Sequence, residues 1–173
     1  WRKSSHPCRK EGSGRFGYVF QDSPAVDEIV VVTREDRVEE YRRLLGQCSR
    51  LRAVVPGGST RQESVRNGVR ALSPDCTLAA IHDGARPLVT PEGFARCIEA
   101  ARSCGAATAA VPVKDTIKLV DEAGRVLDTP ARSRLWAVQT PQIFDRERYL
   151  RAAEEAERRG LSCTDDCKLF EAM

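Results

Sequence analysis

The feature that most constrains this chain is an alternation of short apolar runs with amphipathic stretches along residues 28–113. Glu28-Ile29-Val30-Val31-Val32-Thr33 is β-branched through its middle, the composition of a strand buried on both faces, and a charged amphipathic segment over 35–45 follows it before Gly46. A second run, 51–55, ends in Pro56-Gly57-Gly58, after which Ser59 or Thr60 can cap a helix carrying Val65, Val69 and Leu72 on one side. The third, Leu78-Ala79-Ala80-Ile81, stops at His82-Asp83-Gly84, and Thr90-Pro91-Glu92 supplies the cap and first-turn proline of another helix. The fourth covers 106–113. Strands separated by helical segments predict an α/β fold, with a mainly parallel sheet and helices on both faces.

Past Val113 the rhythm changes. Thr116-Ile117-Lys118-Leu119-Val120, the turn Asp121-Glu122-Ala123-Gly124 and Arg125-Val126-Leu127-Asp128 predict an antiparallel hairpin, an arm over about 114–131 that leaves the α/β core. A two-stranded hairpin alone is marginal in water, so a twin arm from a second subunit is the simplest cover, and a homodimer is expected. Residues 135–144 read as strand and loop, 146–159 as a charged helix ending at Gly160, and 162–173 as the start of another helix. Residues 1–18 are basic, glycine-bearing and without periodicity, and are expected to be irregular or disordered. The domain is expected over 19–173.

Composition narrows the function classes. At 173 residues a single core needs neither disulfides nor a structural metal. A net charge of +3 and ten aromatic residues make no face suited to nucleic acid. Apolar stretches of about six residues are far below the ~20 that cross a bilayer, and no charged-then-apolar leader opens the sequence, so neither a membrane partner nor secretion is expected. Seven cysteines, at 8, 48, 76, 97, 104, 163 and 167, show no Cys-x-x-Cys pair and read as reduced thiols. Cys163 and Cys167 lack a second ligand pair at zinc-site spacing.

In parallel α/β sheets, ligands gather at the carboxyl edge of the strands, where loops diverge and helix N-termini offer free N–H groups to anions. Three features fall there. In Gly57-Gly58-Ser59-Thr60-Arg61-Gln62-Glu63-Ser64, the glycines allow close backbone approach to a planar or phosphorylated ligand, and Arg61 and Ser64 offer hydrogen bonds; a plain turn is the alternative. In His82-Asp83-Gly84-Ala85-Arg86-Pro87, an aspartate at a strand end can hold Mg²⁺ and an arginine three residues on can clamp phosphate; the alternative is an ion pair that fixes the loop. From Arg132 through Trp136 to Gln139-Thr140-Pro141-Gln142, guanidinium, hydroxyl and amide groups surround a proline; the alternative is a surface loop with Trp136 packed inward. The two histidines, His6 and His82, and the absence of Gly-x-Ser-x-Gly leave little support for acyl transfer. Cations, hydroxyls and one metal-suited carboxylate favour phosphoryl or nucleotidyl transfer, where positioning and charge neutralisation do most of the catalysis.

Taken in order, Gly57-Gly58-Ser59-Thr60-Arg61-Gln62-Glu63-Ser64-Val65-Arg66-Asn67-Gly68, Ile81-His82-Asp83-Gly84-Ala85-Arg86-Pro87, Pro112-Val113-Lys114-Asp115-Thr116-Ile117-Lys118, Leu135-Trp136-Ala137-Val138-Gln139-Thr140-Pro141-Gln142 and Thr164-Asp165-Asp166 resemble the 2-C-methyl-D-erythritol 4-phosphate cytidylyltransferase family over about 20–170. The resemblance implies a Rossmann-like fold, Mg²⁺ dependence, a cytoplasmic setting and a homodimer with interlocking arms. The implied reaction joins CTP to the methylerythritol phosphate and releases pyrophosphate, in the non-mevalonate route to isoprenoid precursors. By the same resemblance Gly58 and Ser64 line the cytosine pocket with Arg61 beside it, and Asp83 binds Mg²⁺ on the CTP phosphates. Arg86, Thr140 and Thr164 reach toward the acceptor phosphate, and Arg132 positions that phosphate across the dimer interface.

The family pattern also includes a first strand and the loop Ala-Ala-Gly-x-Gly-x-Arg-Met-Gly followed by a lysine. Only Gly12-Ser13-Gly14-Arg15-Phe16-Gly17 is similar here, with Arg15 standing for the loop arginine, and the lysine-bearing strand that follows Thr-Asp-Asp in the family has no counterpart before Met173. A degraded loop and a shortened C-terminus are therefore expected, with weakened catalysis and exposed apolar sheet surface as consequences. Two further readings stand beside the first: a ribitol-5-phosphate cytidylyltransferase, whose family shares most of these motifs, and a non-catalytic fragment that dimerises through its arm.

Overall fold

The computed structural model of the protein describes residue 20, residues 23–161 and residues 165–171. The expectations for 1–18, and with them Arg15, lie outside these residues, as does Thr164. Strand β1 (Ile29–Thr33) pairs in parallel with β2 (Leu51–Pro56), Val31 opposite Val54 and Val32 opposite Val55. Its residues are half-buried rather than enclosed on both faces, and β2 is its hydrogen-bonded neighbour among the described residues. The stretch expected to be helical from 35 enters as a 3₁₀ turn, Glu35–Arg37, before α1 (Val38–Leu44). Arg34 precedes it and cannot cap with an acceptor; its guanidinium pairs instead with the Asp36 carboxylate at 2.8 Å.

Helix α2 (Arg61–Arg70) starts under Thr60, whose hydroxyl accepts the Glu63 N–H at 3.0 Å. It packs hard on β1: a Cβ at Gly68 would stand 2.6 Å from Val32 Cγ2, a distance only glycine permits. Strand β3 (Leu78–Ile81) leads to α3 (Pro91–Cys104), capped by the Thr90 hydroxyl, which accepts the Gly93 N–H at 3.1 Å. Gly105, at φ 82°, ends that helix in the left-handed region and its N–H donates to the Ala101 carbonyl at 2.7 Å. Next come β4 (Ala106–Pro112), the short hairpin β5 (Leu119–Val120) and β6 (Val126–Asp128), and a 3₁₀ turn, Arg132–Arg134. Strand β7 (Trp136–Asp145), α4 (Arg146–Arg158) and α5 (Cys167–Glu171) complete the described chain.

The pairing is more mixed than the strand–helix rhythm suggests. Strand β7 lies between β3 and β4, antiparallel to both, because the hairpin excursion reverses the chain before it re-enters the sheet. Strands β3 and β4 thus share a direction without being bonded to each other. Successive β7 residues point to opposite faces. Phe144 joins Val69, Ala79, Tyr149, Ala153 and Leu169 on the side of α2, α4 and α5, while Ile143 joins Phe20, Phe94, Ile98 and Ala101 on the side of α3. Helices therefore cover both faces, as expected. The cysteines at 48, 76, 97, 104 and 167 are free. Among the described residues no helix is long and apolar enough to cross a membrane.

Candidate active site

The site forms where β3 stops. Its last residue, Ile81, faces Gln142 of β7. On the other edge of β7 the register slips: Thr108 faces Gln142 but Ala110 faces Val138, so residues 139–141 bulge out of the ladder. Pro141, joined to Thr140 by a cis peptide bond, has no N–H to give the ladder. The bulge carries the Thr140 hydroxyl to the Asp83 N–H, which donates to it at 3.2 Å. Of residues 135–144, expected as strand and loop, 136–144 thus lie in one strand with a local kink, and Trp136, at 59% exposure, faces solvent rather than the interior.

The loop after β3 is closed by its own backbone. The Arg86 N–H donates to the Asp83 carbonyl at 2.9 Å and the Ala85 N–H to Asp83 Oδ1 at 3.1 Å. Arg86 Nε stands 4.0 Å from Asp83 Oδ2, the outer limit of an ion pair, with both side chains well exposed. Such a contact holds little energy, so the carboxylate stays available to a cation. His82 Nε2 lies 3.0 Å from the Arg86 carbonyl oxygen and its ring meets Phe20 edge-on, centroids 5.3 Å apart. Burial holds its pKa below the ordinary 6.5. Thr140, 57 residues further along the sequence, is thus brought to the rim that bears Asp83 and Arg86.

A second cluster is the turn before α2. The Gly58 N–H donates to Ser64 Oγ at 3.0 Å, and that hydroxyl donates to the Thr60 carbonyl at 2.8 Å. Glu63 Oε2 accepts the Ser59 N–H at 2.7 Å and the Ser59 hydroxyl at 2.8 Å. These two hydrogen bonds, that from the hydroxyl first, hold the Glu63 pKa below the ordinary 4.5. A Cβ on Gly58 would fall 2.2 Å from Glu63 Cγ, and one on Gly57 would fall 2.8 Å from Ser64 Oγ. The glycines here make room for the helix's own side chains; neither is at positive φ. Glu63 holds this turn through Ser59, and Thr60-Arg61-Gln62-Glu63 has the spacing of a capping box.

Arg61 leads to a third feature. It pairs at 2.6 Å with Asp166 Oδ2, a carboxylate only 1% exposed. Asp166 Oδ1 accepts the Tyr149 hydroxyl at 2.9 Å, and the Asp166 N–H donates to Gln142 Oε1 at 3.3 Å. Burial first, then the neighbouring carboxylate, pushes the Tyr149 phenol well above its ordinary 10. Arg132 stands apart from these groups at the root of the hairpin, where its Nη1 donates to the Lys114 carbonyl at 2.7 Å.

Fold and site together define a Rossmann-like α/β protein with a rim of guanidinium, hydroxyl and carboxylate groups at the carboxyl end of β3. The family model for 2-C-methyl-D-erythritol 4-phosphate cytidylyltransferase matches residues 17–173, and the chain belongs to that family. It is 52% identical over 125 residues to the cytidylyltransferase of that name from Desulforamulus reducens, covering 72% of this chain and 53% of that protein. It is 46% identical over 162 residues to a bifunctional enzyme IspD/IspF from Desulforudis audaxviator, covering 92% of this chain and 41% of that protein. The chain thus spans about half the length, or less, of these two curated relatives. The crystal structure of a 4-diphosphocytidyl-2C-methyl-D-erythritol synthase from Anaerococcus prevotii superposes with a TM-score of 0.86 at 32% identity, covering 92% of this chain and 70% of that one.

Proposed function

We propose that the chain carries the cytidylyl-transfer site of an enzyme that joins CTP to 2-C-methyl-D-erythritol 4-phosphate and releases pyrophosphate, in the non-mevalonate route to isoprenoid precursors. The observation that carries this reading is the meeting of Asp83, Arg86 and Thr140 at the end of β3, joined by the hydrogen bond from the Asp83 N–H to the Thr140 hydroxyl. An oxygen of the acceptor phosphate attacks the α-phosphorus of CTP, a P–O bond forms, and the bond to the bridging oxygen of pyrophosphate breaks. The attacking oxygen is already ionised, so no general base is needed. The obstacle is the approach of two anions, and cationic groups and in-line positioning lower it.

In this reading Gly58 and Ser64 face the cytosine, with Arg61 beside them. Arg86, Thr140 and Thr164 hold the acceptor phosphate, Arg15 supports the CTP phosphates, and Arg132 positions the acceptor phosphate across a dimer interface. Asp83 is a hard oxygen donor suited to Mg²⁺. Among the described residues no group of three or more His, Cys, Asp or Glu could hold a metal ion, so Asp83 is the protein carboxylate this reading assigns to it. Bound there, Mg²⁺ would neutralise phosphate charge. The homodimer is supported by the hairpin itself: Leu119, Val126 and Leu127 are all more than half exposed, and a second arm would cover them. Residues 19–173 act as one domain in this account, and the free thiols suit a reducing, cytoplasmic setting.

The test measures pyrophosphate release from CTP and Mg²⁺ with 2-C-methyl-D-erythritol 4-phosphate and, separately, with ribitol 5-phosphate. Release with the first supports the proposal; release with ribitol phosphate alone reassigns the acceptor. No release with either, together with CTP binding that is unchanged in Asp83→Ala, would leave a non-catalytic dimerising fragment.

A further inference from the structure

A carboxylate withdrawn from water is costly unless its oxygens are paired, and a well-packed apolar side chain would often be as stable in the same place. Asp166 is such a carboxylate: Arg61 and Tyr149 hold its side chain and Gln142 accepts from its backbone N–H, so its partners come from separate parts of the site. Arg61 opens α2 directly after the turn that holds Gly58 and Ser64. Gln142 closes the β7 bulge that carries Thr140 to Asp83, and its own Nε2 donates back to the Gln139 carbonyl at 3.5 Å. Tyr149 belongs to the central core of α4 and is fully buried, so its hydroxyl is a fixed point. The neighbouring Asp165 does something else: its Oδ1 accepts the Lys168 N–H at 2.9 Å and starts α5, which leaves Asp166 turned inward. Thr164 lies two residues earlier in sequence.

We propose that Asp166 is a positioning residue that locks the turn before α2, the β7 bulge and the start of α5 into one arrangement, with Tyr149 as its anchor. The proposal rests on the cytidylyltransferase reading for its consequence, the placement of the nucleotide side of the site relative to the acceptor side. Its geometric content does not depend on turnover. Asp166→Asn keeps size and shape but removes the charge that holds Arg61; Tyr149→Phe removes one hydroxyl and leaves the ring in the core.

The experiment compares both variants with the wild-type chain by amide hydrogen exchange without ligand and by steady-state pyrophosphate release. In Asp166→Asn, exchange is expected to quicken over 57–64 and, more weakly because the backbone N–H that holds Gln142 is kept, over 139–142, while α3 keeps wild-type protection. The KM for CTP is expected to rise roughly tenfold while kcat changes less than about threefold, the pattern of lost binding geometry rather than lost chemistry. Tyr149→Phe should move both readouts the same way by less, and it carries the test if Asp166→Asn does not fold. Exchange that quickens evenly across all helices, or that leaves 57–64 and 139–142 unchanged, would overturn the proposal. A wild-type chain without turnover would instead count against the enzymatic reading, with the exchange comparison still deciding the role of Asp166.

Discussion

Asp83 and Thr140 are 57 residues apart in sequence, yet the backbone N–H of the first donates to the hydroxyl of the second at 3.2 Å. The contact exists because β7 bulges over 139–141 where β3 has just ended, so one strand's irregularity supplies the acceptor that the next loop needs. The bond fixes the start of a loop whose other end bears Arg86.

Thr140→Val keeps the shape of the side chain and removes that acceptor. A partly buried N–H left without a partner costs about 1–3 kcal/mol, which, where it falls on the placement of residues 82–86, corresponds to roughly a fivefold to 150-fold loss of kcat/KM. Thr140→Ser retains the hydroxyl and should stay near wild type. Pyrophosphate release assays on the two variants check this; equal activities would remove the contact from the account.

Gly58→Ala places a methyl group 2.2 Å from Glu63 Cγ, too close to be absorbed without moving the side chain. The displaced Glu63 would lose its hydrogen bonds from Ser59, so the urea midpoint should fall. In a Glu63→Ala background the obstruction is gone, and Gly58→Ala should cost far less there. Additive losses in the double variant would show that the glycine serves another purpose.

Glu63 also gives a pH signature. Its folded pKa lies below the ordinary 4.5, so the unfolded chain binds more protons between the two values and stability rises with pH across that window. The contribution is complete above 4.5 and is lost as the pH falls through the folded value. Glu155, held low chiefly by the Arg158 side chain, acts with the same sign, so replacing Glu63 alone should not flatten the curve fully. Urea midpoints taken from about pH 3 to about pH 6 should show a shallower acid limb in Glu63→Gln than in wild type. Parallel limbs would count against the assignment.

How much of this was legible beforehand follows the physics of each element. Strand β3 and the start of helix α3 could be read because an apolar run, Thr90 and Pro91 are local signals that nothing tertiary overrides. The length of β7 could not: Pro141 reads as a break, and only its neighbours show that a bulge lets the strand continue through it. The hairpin was visible, but Thr116, Ile117 and Lys118 alternate like a strand without belonging to β5, which pairs only from Leu119. At the site, Asp83, Arg86 and Thr140 stand in motifs, whereas the partnership of Asp166 with Tyr149 and Arg61 depends on burial that no spacing records. Glu63 lay between, marked by its distance from Thr60 but hidden by the attention that glycines draw.

The hairpin gives the last prediction. Leu127 is 64% exposed, so Leu127→Asp removes little from the folded monomer. In an arm-to-arm dimer the same change replaces a covered apolar side chain, worth about 1.5–3 kcal/mol, with a charge that must be desolvated, and two-fold symmetry applies the loss twice. Sedimentation velocity at micromolar protein should show a dimer for wild type and a monomer for the variant, with the thermal midpoint of the monomer's own core little changed. Arg132 is tied to the root of this arm through the Lys114 carbonyl, so if it serves the neighbouring subunit's site, turnover should fall in step with the dimer fraction and return as concentration is raised. A wild-type monomer, or a monomeric variant with full activity, would place Arg132 outside any shared site.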